Sequence, residues 1–240
     1  MGLESELVLG LIAFATSMLA GVIGFGGGLI LIAVLPMFLS PALIIPVHGI
    51  TQLASNASRM AFSFQHVQWS LFTKFLIGSV AGVLIFGLLL TSIPTEYVPV
   101  AIGAYILLNL WSQRFAIVIS KYENYYLLGL LQTGLGLIVG SPGPLSLSLL
   151  TKNFSSKDEI IATNAMFLTI SHLAKIPVFS FIGVALLDEL SLIIYMLIGA
   201  VLGSYFGTKL RMAVKNDRVI TVVKVLLTVM AIKMIVAVLF

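Results

Sequence analysis

The chain has 240 residues, 60% of them apolar and 9% charged, with a formal net charge of +4 and a mean hydropathy of +1.15. An ordinary soluble domain carries about 25% charged residues; no soluble fold could hide this much apolar surface, so the composition calls for a polytopic membrane protein. Long apolar runs from end to end argue for helices and against a barrel of alternating ten-residue strands, and the basic residues sit in short loops, where they report topology rather than nucleic-acid binding.

The first residues include Glu4 and Glu6, acids where a secretory signal would carry bases, so a cleaved signal peptide is not expected. Cysteine is absent, which removes disulfides and thiolate sites. Apolar segments follow at 7–39, 42–64, 71–92, 97–113, 124–150, 160–186, 190–209 and 219–240, to be compared with the roughly 20 residues of one crossing. The first is too long for a single span. It is split by the stretch 21–30, Gly-Val-Ile-Gly-Phe-Gly-Gly-Gly-Leu-Ile, with five glycines in eight positions. Glycine costs a helix about 1 kcal/mol relative to alanine, so three in succession should break it. A broken helix in a bilayer is tolerated only where it is buried in protein or lines a cavity.

The fifth segment is broken too, at Gly140-Ser-Pro-Gly-Pro, and the stretch 136–145 lies 115 residues after 21–30. The pair Gly78 and Gly82 is matched by Gly199 and Gly203 at an offset of 121. The chain therefore reads as one transmembrane domain of two repeats, 1–115 and 120–240. Breaks at corresponding positions of two halves are the best sequence pointer to a transporter binding site. Glu4, Glu6, Glu96, Asp188 and Glu189 mark one set of ends; Arg114, Lys121, Lys152, Lys157, Lys209, Arg211, Lys215 and Arg218 mark the other, which the positive-inside rule makes cytoplasmic. Eight plain crossings would put the basic loops 112–123 and 151–158 on opposite sides. The conflict disappears if each half is a re-entrant hairpin plus three transmembrane helices, which makes the repeats inverted. Eight simple transmembrane helices are the alternative.

On the hairpin reading, 22–28 and 137–143 are tips that reach the midplane, each followed by a short half-helix, 28–39 and 144–151. Helix N-termini offer free N–H groups and partial positive charge, and Pro144 suits a first helical turn. Gly24, Phe25, Gly26, Gly27 and Gly28 with Gly140, Ser141, Pro142 and Gly143 then form a cradle for a small anion. The bland reading is close helix packing, which is favoured for the G-x-x-x-G pairs Gly78–Gly82 and Gly199–Gly203. Segment 42–64 is unusually polar: His48, Thr51, Gln52 and Asn56 are binding candidates, with Asn164 and Ser171 from the second repeat. Interhelical hydrogen bonding is the competing role. His48 could carry a proton, though a single histidine near a helix end is more often an ordinary hydrogen-bonding residue. His66 and His172 read as interfacial, and Arg59 and Lys175 as charges that orient their spans. No enzymatic signature is present: there is no H-E-x-x-H, no Walker loop and no triad pattern around Ser141.

The G-x-x-G-F-G-G-G motif at 21–28, its degenerate copy at 136–145 and the stretch 199–207, Gly-Ala-Val-Leu-Gly-Ser-Tyr-Phe-Gly, resemble the TauE/SafE sulfite exporter family over nearly the whole chain. The resemblance implies a secondary transporter in the cell (inner or plasma) membrane for small sulfur-containing or organic anions such as sulfite, thiosulfate or sulfoacetate, with no cofactor, metal or nucleic acid. It leaves open a coupling ion, proton or sodium, and a homo-oligomer. The chain departs from the usual second motif, with Ser141-Pro142-Gly143 where three glycines are typical. An anion channel and a non-transporting scaffold subunit are the alternative functions.

Overall fold

In the computed structural model, residues 2–90, 94–114, 124–141, 144–181, 183, 186–211 and 217–239 are described, and among them there is no strand. The protein is an all-α polytopic membrane protein. Helix α1 (Leu3–Ile23) is followed by the half-helix α2 (Gly27–Val34), and then by α3 (Pro41–Phe62), α4 (Phe72–Leu90) and α5 (Val98–Trp111). The second half contains α6 (Tyr125–Val139), the half-helix α7 (Pro144–Asn153), α8 (Lys157–Leu173), α9 (Lys175–Phe181), α10 (Leu190–Leu210) and α11 (Asp217–Leu239).

Both breaks fall where the glycines predict them. Gly24 (φ 95°) and Gly26 (φ 87°) end α1, and Gly140 (φ 74°) ends α6; side chains with a Cβ rarely adopt this left-handed region. The returning half-helices differ slightly from expectation. α2 stops at Val34 and tightens into a 3-10 turn, Leu35–Met37, at Pro36, whereas α7 runs two residues further than predicted, to Asn153. The arms are also unequal: α1, at 21 residues and about 31 Å, is long enough to cross a bilayer, whereas the 15 residues of α6 give about 22 Å.

The segment read as continuous over 160–186 is broken at Ala174, between α8 and α9. Pro177 explains it: proline has no N–H to give the Leu173 carbonyl, and its ring collides with that carbonyl. Pro46 sits inside α3 without ending the helix.

Two glycine-faced contacts hold the frame. A Cβ on Gly199 would strike the Gly10 carbonyl, one on Gly203 that of Phe14, and one on Gly207 that of Met18. Both numberings advance together, so α1 and α10 run parallel with backbones in near contact. Gly78 and Gly82 of α4 likewise face the carbonyls of Tyr126 and Leu130, and Gly129 faces that of Phe75, so α4 and α6 are parallel as well. Small residues allow this approach, and dispersion and polar contacts then replace the hydrophobic driving force that lipid does not supply. Each pair joins a helix of the first half to one of the second.

The hydrophobic core lies between these pairs. One cluster gathers α1, α2, α3, α5, α10 and α11 around Leu31, Ile32, Ile44, Ile102 and Met196. A second packs α4 against α8, with the rings of Phe75 and Phe167 stacked at 4.2 Å.

Candidate anion site at the two helix breaks

The two breaks meet. A Cβ on Gly28, at the start of α2, would lie 2.9 Å from Ser141 Oγ at the second break and 3.1 Å from Gln52 Oε1 on α3. Asn164 of α8 ties the tips together: its Oδ1 accepts from Ser146 Oγ (2.5 Å) in the first turn of α7, and its Nδ2 donates to the Gly24 carbonyl (3.3 Å). Gln132 of α6 accepts from the Ser146 backbone N–H at 3.2 Å. A single asparagine thus sets the distance between the broken helices.

Around this junction lies a small cavity of about 20 Å³, lined among others by Gly24, Gly26, Gln52, Asn56, Arg59 and Asn164. Water-sized groups fit it. The lining is rich in donors. The N-cap of α2, Gly26, supplies no side chain to satisfy the first-turn N–H groups, which remain available to a ligand. Gln52 Nε2 is buried without a partner.

Arg59 supplies the charge. It is 1% exposed; its guanidinium donates to Asn56 Oδ1 (3.1 Å) and Ser55 Oγ (3.0 Å), and its Nε has no partner. Among the described residues no carboxylate pairs with it. A cation taken out of water without a counter-ion costs several kcal/mol, so Arg59 leaves at the cavity a positive charge that no described carboxylate balances. Arg59 does lie in the last turn of α3, and Lys175 opens α9, at span ends as the sequence suggested; both are nevertheless 1% exposed inside the protein.

Behind Gly28 lies a second polar group. His48 Nε2 donates to the Gly28 carbonyl at 3.0 Å, and its ring meets that of His172 edge-on, with centroids 5.5 Å apart. His172 Nδ1 lies 3.0 Å from Lys175 Nζ, which also donates to the Gly140 carbonyl. His172, expected at the interface, is 1% exposed and lines the cavity, because the chain continues beyond Ala174 as α9 and carries the end of α8 into the protein.

The remaining candidates divide. Gly24, Phe25, Gly26, Gly28, Gln52, Asn56, Ser141 and Asn164 line the cavity. Gly27 does not; a Cβ there would strike the Thr16 carbonyl of α1. Thr51 bonds the Val47 carbonyl and contacts Met196 of α10, and Ser171 bonds Thr133 of α6, so both take the interhelical role. A Cβ on Gly140 would strike Ile32. Pro142 and Gly143 lie outside the described residues. The i, i+4, i+7, i+11 spacing of His48, Gln52, Ser55 and Arg59 puts them on one helix face and is legible in the sequence; read from sequence, Arg59, His172 and Lys175 nevertheless fall outside the site, as charges or a histidine near span ends.

On the basic side of the cavity, Arg211 closes the bundle. It is 2% exposed; its Nε donates to the Gly21 carbonyl (3.1 Å), one terminal nitrogen pairs with Asp158 (2.6 Å), and the other reaches Ser63 Oγ (3.4 Å). The ends of α1, α8 and the turn after α3 are thereby clasped to α10.

The family model described as sulfite exporter TauE/SafE matches residues 9–234. No curated protein and no solved structure matches the chain.

Proposed function

Because the chain belongs to the sulfite exporter TauE/SafE family of membrane transporters, we propose that it is a secondary carrier of small sulfur-containing or organic anions such as sulfite, thiosulfate or sulfoacetate. The observation that carries this reading is Arg59: a buried guanidinium that no carboxylate among the described residues pairs with, at a donor-lined cavity where two broken helices meet. The anion would lie against the first-turn N–H groups of α2, with Gln52, Asn56 and Ser141 completing its shell. Glycine at position 28 keeps the backbone within reach.

Alternating access fits the closure around the site. The tips are tied through Asn164, and the basic side is clasped by Arg211. Loading would require one tie to open while the other holds. The repeats 1–115 and 120–240 would then act as inverted halves whose exchanged parallel pairs, α1 with α10 and α4 with α6, form the frame.

Flux in proteoliposomes tests this. A carrier saturates with thiosulfate or sulfoacetate and shows counterflow; a channel conducts without counterflow; a scaffold does neither. Arg59→Met should abolish uptake in folded protein. Unchanged uptake in that variant would overturn the site.

A further inference from the structure

We infer that His48, His172 and Lys175 form a proton-binding site that couples anion movement to protons; the inference rests on the anion reading above. Three basic side chains from α3, α8 and α9 are 0%, 1% and 1% exposed, and among the described residues none pairs with a carboxylate. They form a chain between the two breaks, from the Gly28 carbonyl through His48, His172 and Lys175 to the Gly140 carbonyl. Whatever parts the tips must stretch this chain.

The hydrogen bonds assign the protons. Carbonyl oxygens only accept, so His48 carries hydrogen on Nε2. Its Nδ1 is buried without a partner and would lie 3.8 Å from a Cβ at Gly140. That lone pair is an empty place for one proton at the junction of the tips. His172 Nδ1, beside Lys175 Nζ, takes a hydrogen bond from the ammonium.

Few other charges face the group. α2 contributes the Gly28 carbonyl, and the tip end of α6 contributes that of Gly140. α10 meets α3 through Met196 and Ser204. The turns Thr95–Tyr97 and Leu186–Glu189, which touch α3, carry Glu96 and Asp188, both exposed, and Glu189, partly exposed. On α3 itself the next charge is Arg59, eleven residues or about three turns on. With cations on both sides and no acid between them among the described residues, an added proton at His48 is favoured by an anion in the cavity that His172 lines. Anion and proton therefore bind together, and each raises the affinity for the other.

Calorimetry on the full chain in detergent, in buffers of different ionisation enthalpy, counts the protons. Thiosulfate and sulfoacetate are the probes, because neither titrates near neutral pH. About one proton should be taken up per anion, with affinity rising up to about tenfold for each unit fall in pH. His48→Gln keeps an N–H for the Gly28 carbonyl but offers no basic nitrogen, and should lose the proton uptake and flatten the pH profile. Lys175→Met removes a cation that opposes a proton on His48, so it should keep the uptake and carry it to higher pH. Anion binding with no proton uptake, or with uptake retained in His48→Gln, overturns the coupling and leaves the carrier intact. Failure of both anions to bind overturns the anion reading and the coupling with it.

Discussion

Arg59 is a charge in an interior that offers its guanidinium two side-chain oxygens, leaves its Nε unpaired and, among the described residues, brings it no acid. Replacing such a group by an apolar side chain of similar length is often neutral or stabilising for the empty protein. Arg59→Met should therefore leave the ligand-free melting temperature unchanged or higher while removing the stabilisation that thiosulfate gives by mass action. A residue that merely supported the fold would show the opposite pattern. Gly28 and Gly27 make a second contrast. A Cβ on Gly28 meets the mobile ends of Ser141 and Gln52 inside the cavity, whereas one on Gly27 strikes the backbone of α1. Gly28→Ala should weaken anion binding about tenfold with the fold intact; Gly27→Ala should lower stability by about 1–3 kcal/mol, the usual cost of overpacking. Thermal melts with and without anion separate the two. The donors contributed by glycine backbones, Gln52, Asn56 and Asn164 were legible in the sequence, because polar groups in an apolar span must face something polar. The burial of Arg59, His172 and Lys175 was not, because only tertiary packing shows what covers a side chain near a helix end.

The helices themselves were largely legible. Triple glycine and Gly-Ser-Pro-Gly-Pro carry their own penalty against helix, so both breaks could be read locally. The Ala174 break could have been read from Pro177, but a single proline in a hydrophobic run is ambiguous: Pro46 leaves α3 whole and Pro177 does not. The glycine pairs announced close packing without naming their partners, because small residues specify an approach distance and not a neighbour. Within α4 two glycines test that packing. Gly82 abuts the Leu130 carbonyl, whereas nothing lies within 4 Å of a Cβ on Gly87. Gly82→Ala should destabilise by about 1–3 kcal/mol. Gly87→Ala should be neutral, or gain up to about 1 kcal/mol from helix propensity. Comparable melting temperatures for the two would argue against the parallel α4 and α6 contact.

For the whole molecule, the alternating access proposed above makes the Arg211 clasp the tie that shuts the basic side of the site. Asp158→Asn removes the charge from its 2.6 Å ion pair, and a charged hydrogen bond contributes about 1.5–3 kcal/mol. The variant should open the basic side more often. The native chain contains no cysteine, so a lone cysteine placed at Ala20, on the cavity wall, reports this directly. Its labelling by a membrane-impermeant thiol reagent should quicken about tenfold in Asp158→Asn. An unchanged rate would mean that the clasp does not gate the site.

The exchanged helix pairs also bear on how the protein is made. The glycine ridge that receives α1 is on α10, and 166 residues separate the two helices in the chain. At about 5–20 residues per second, α1 enters the bilayer roughly 10–30 s before its partner is synthesised. During that interval its small-residue face lies against lipid or a chaperone. α4 waits a shorter time for α6. Neither half can settle alone, so a chain interrupted in the loop between them should accumulate only when both fragments are synthesised in the same membrane.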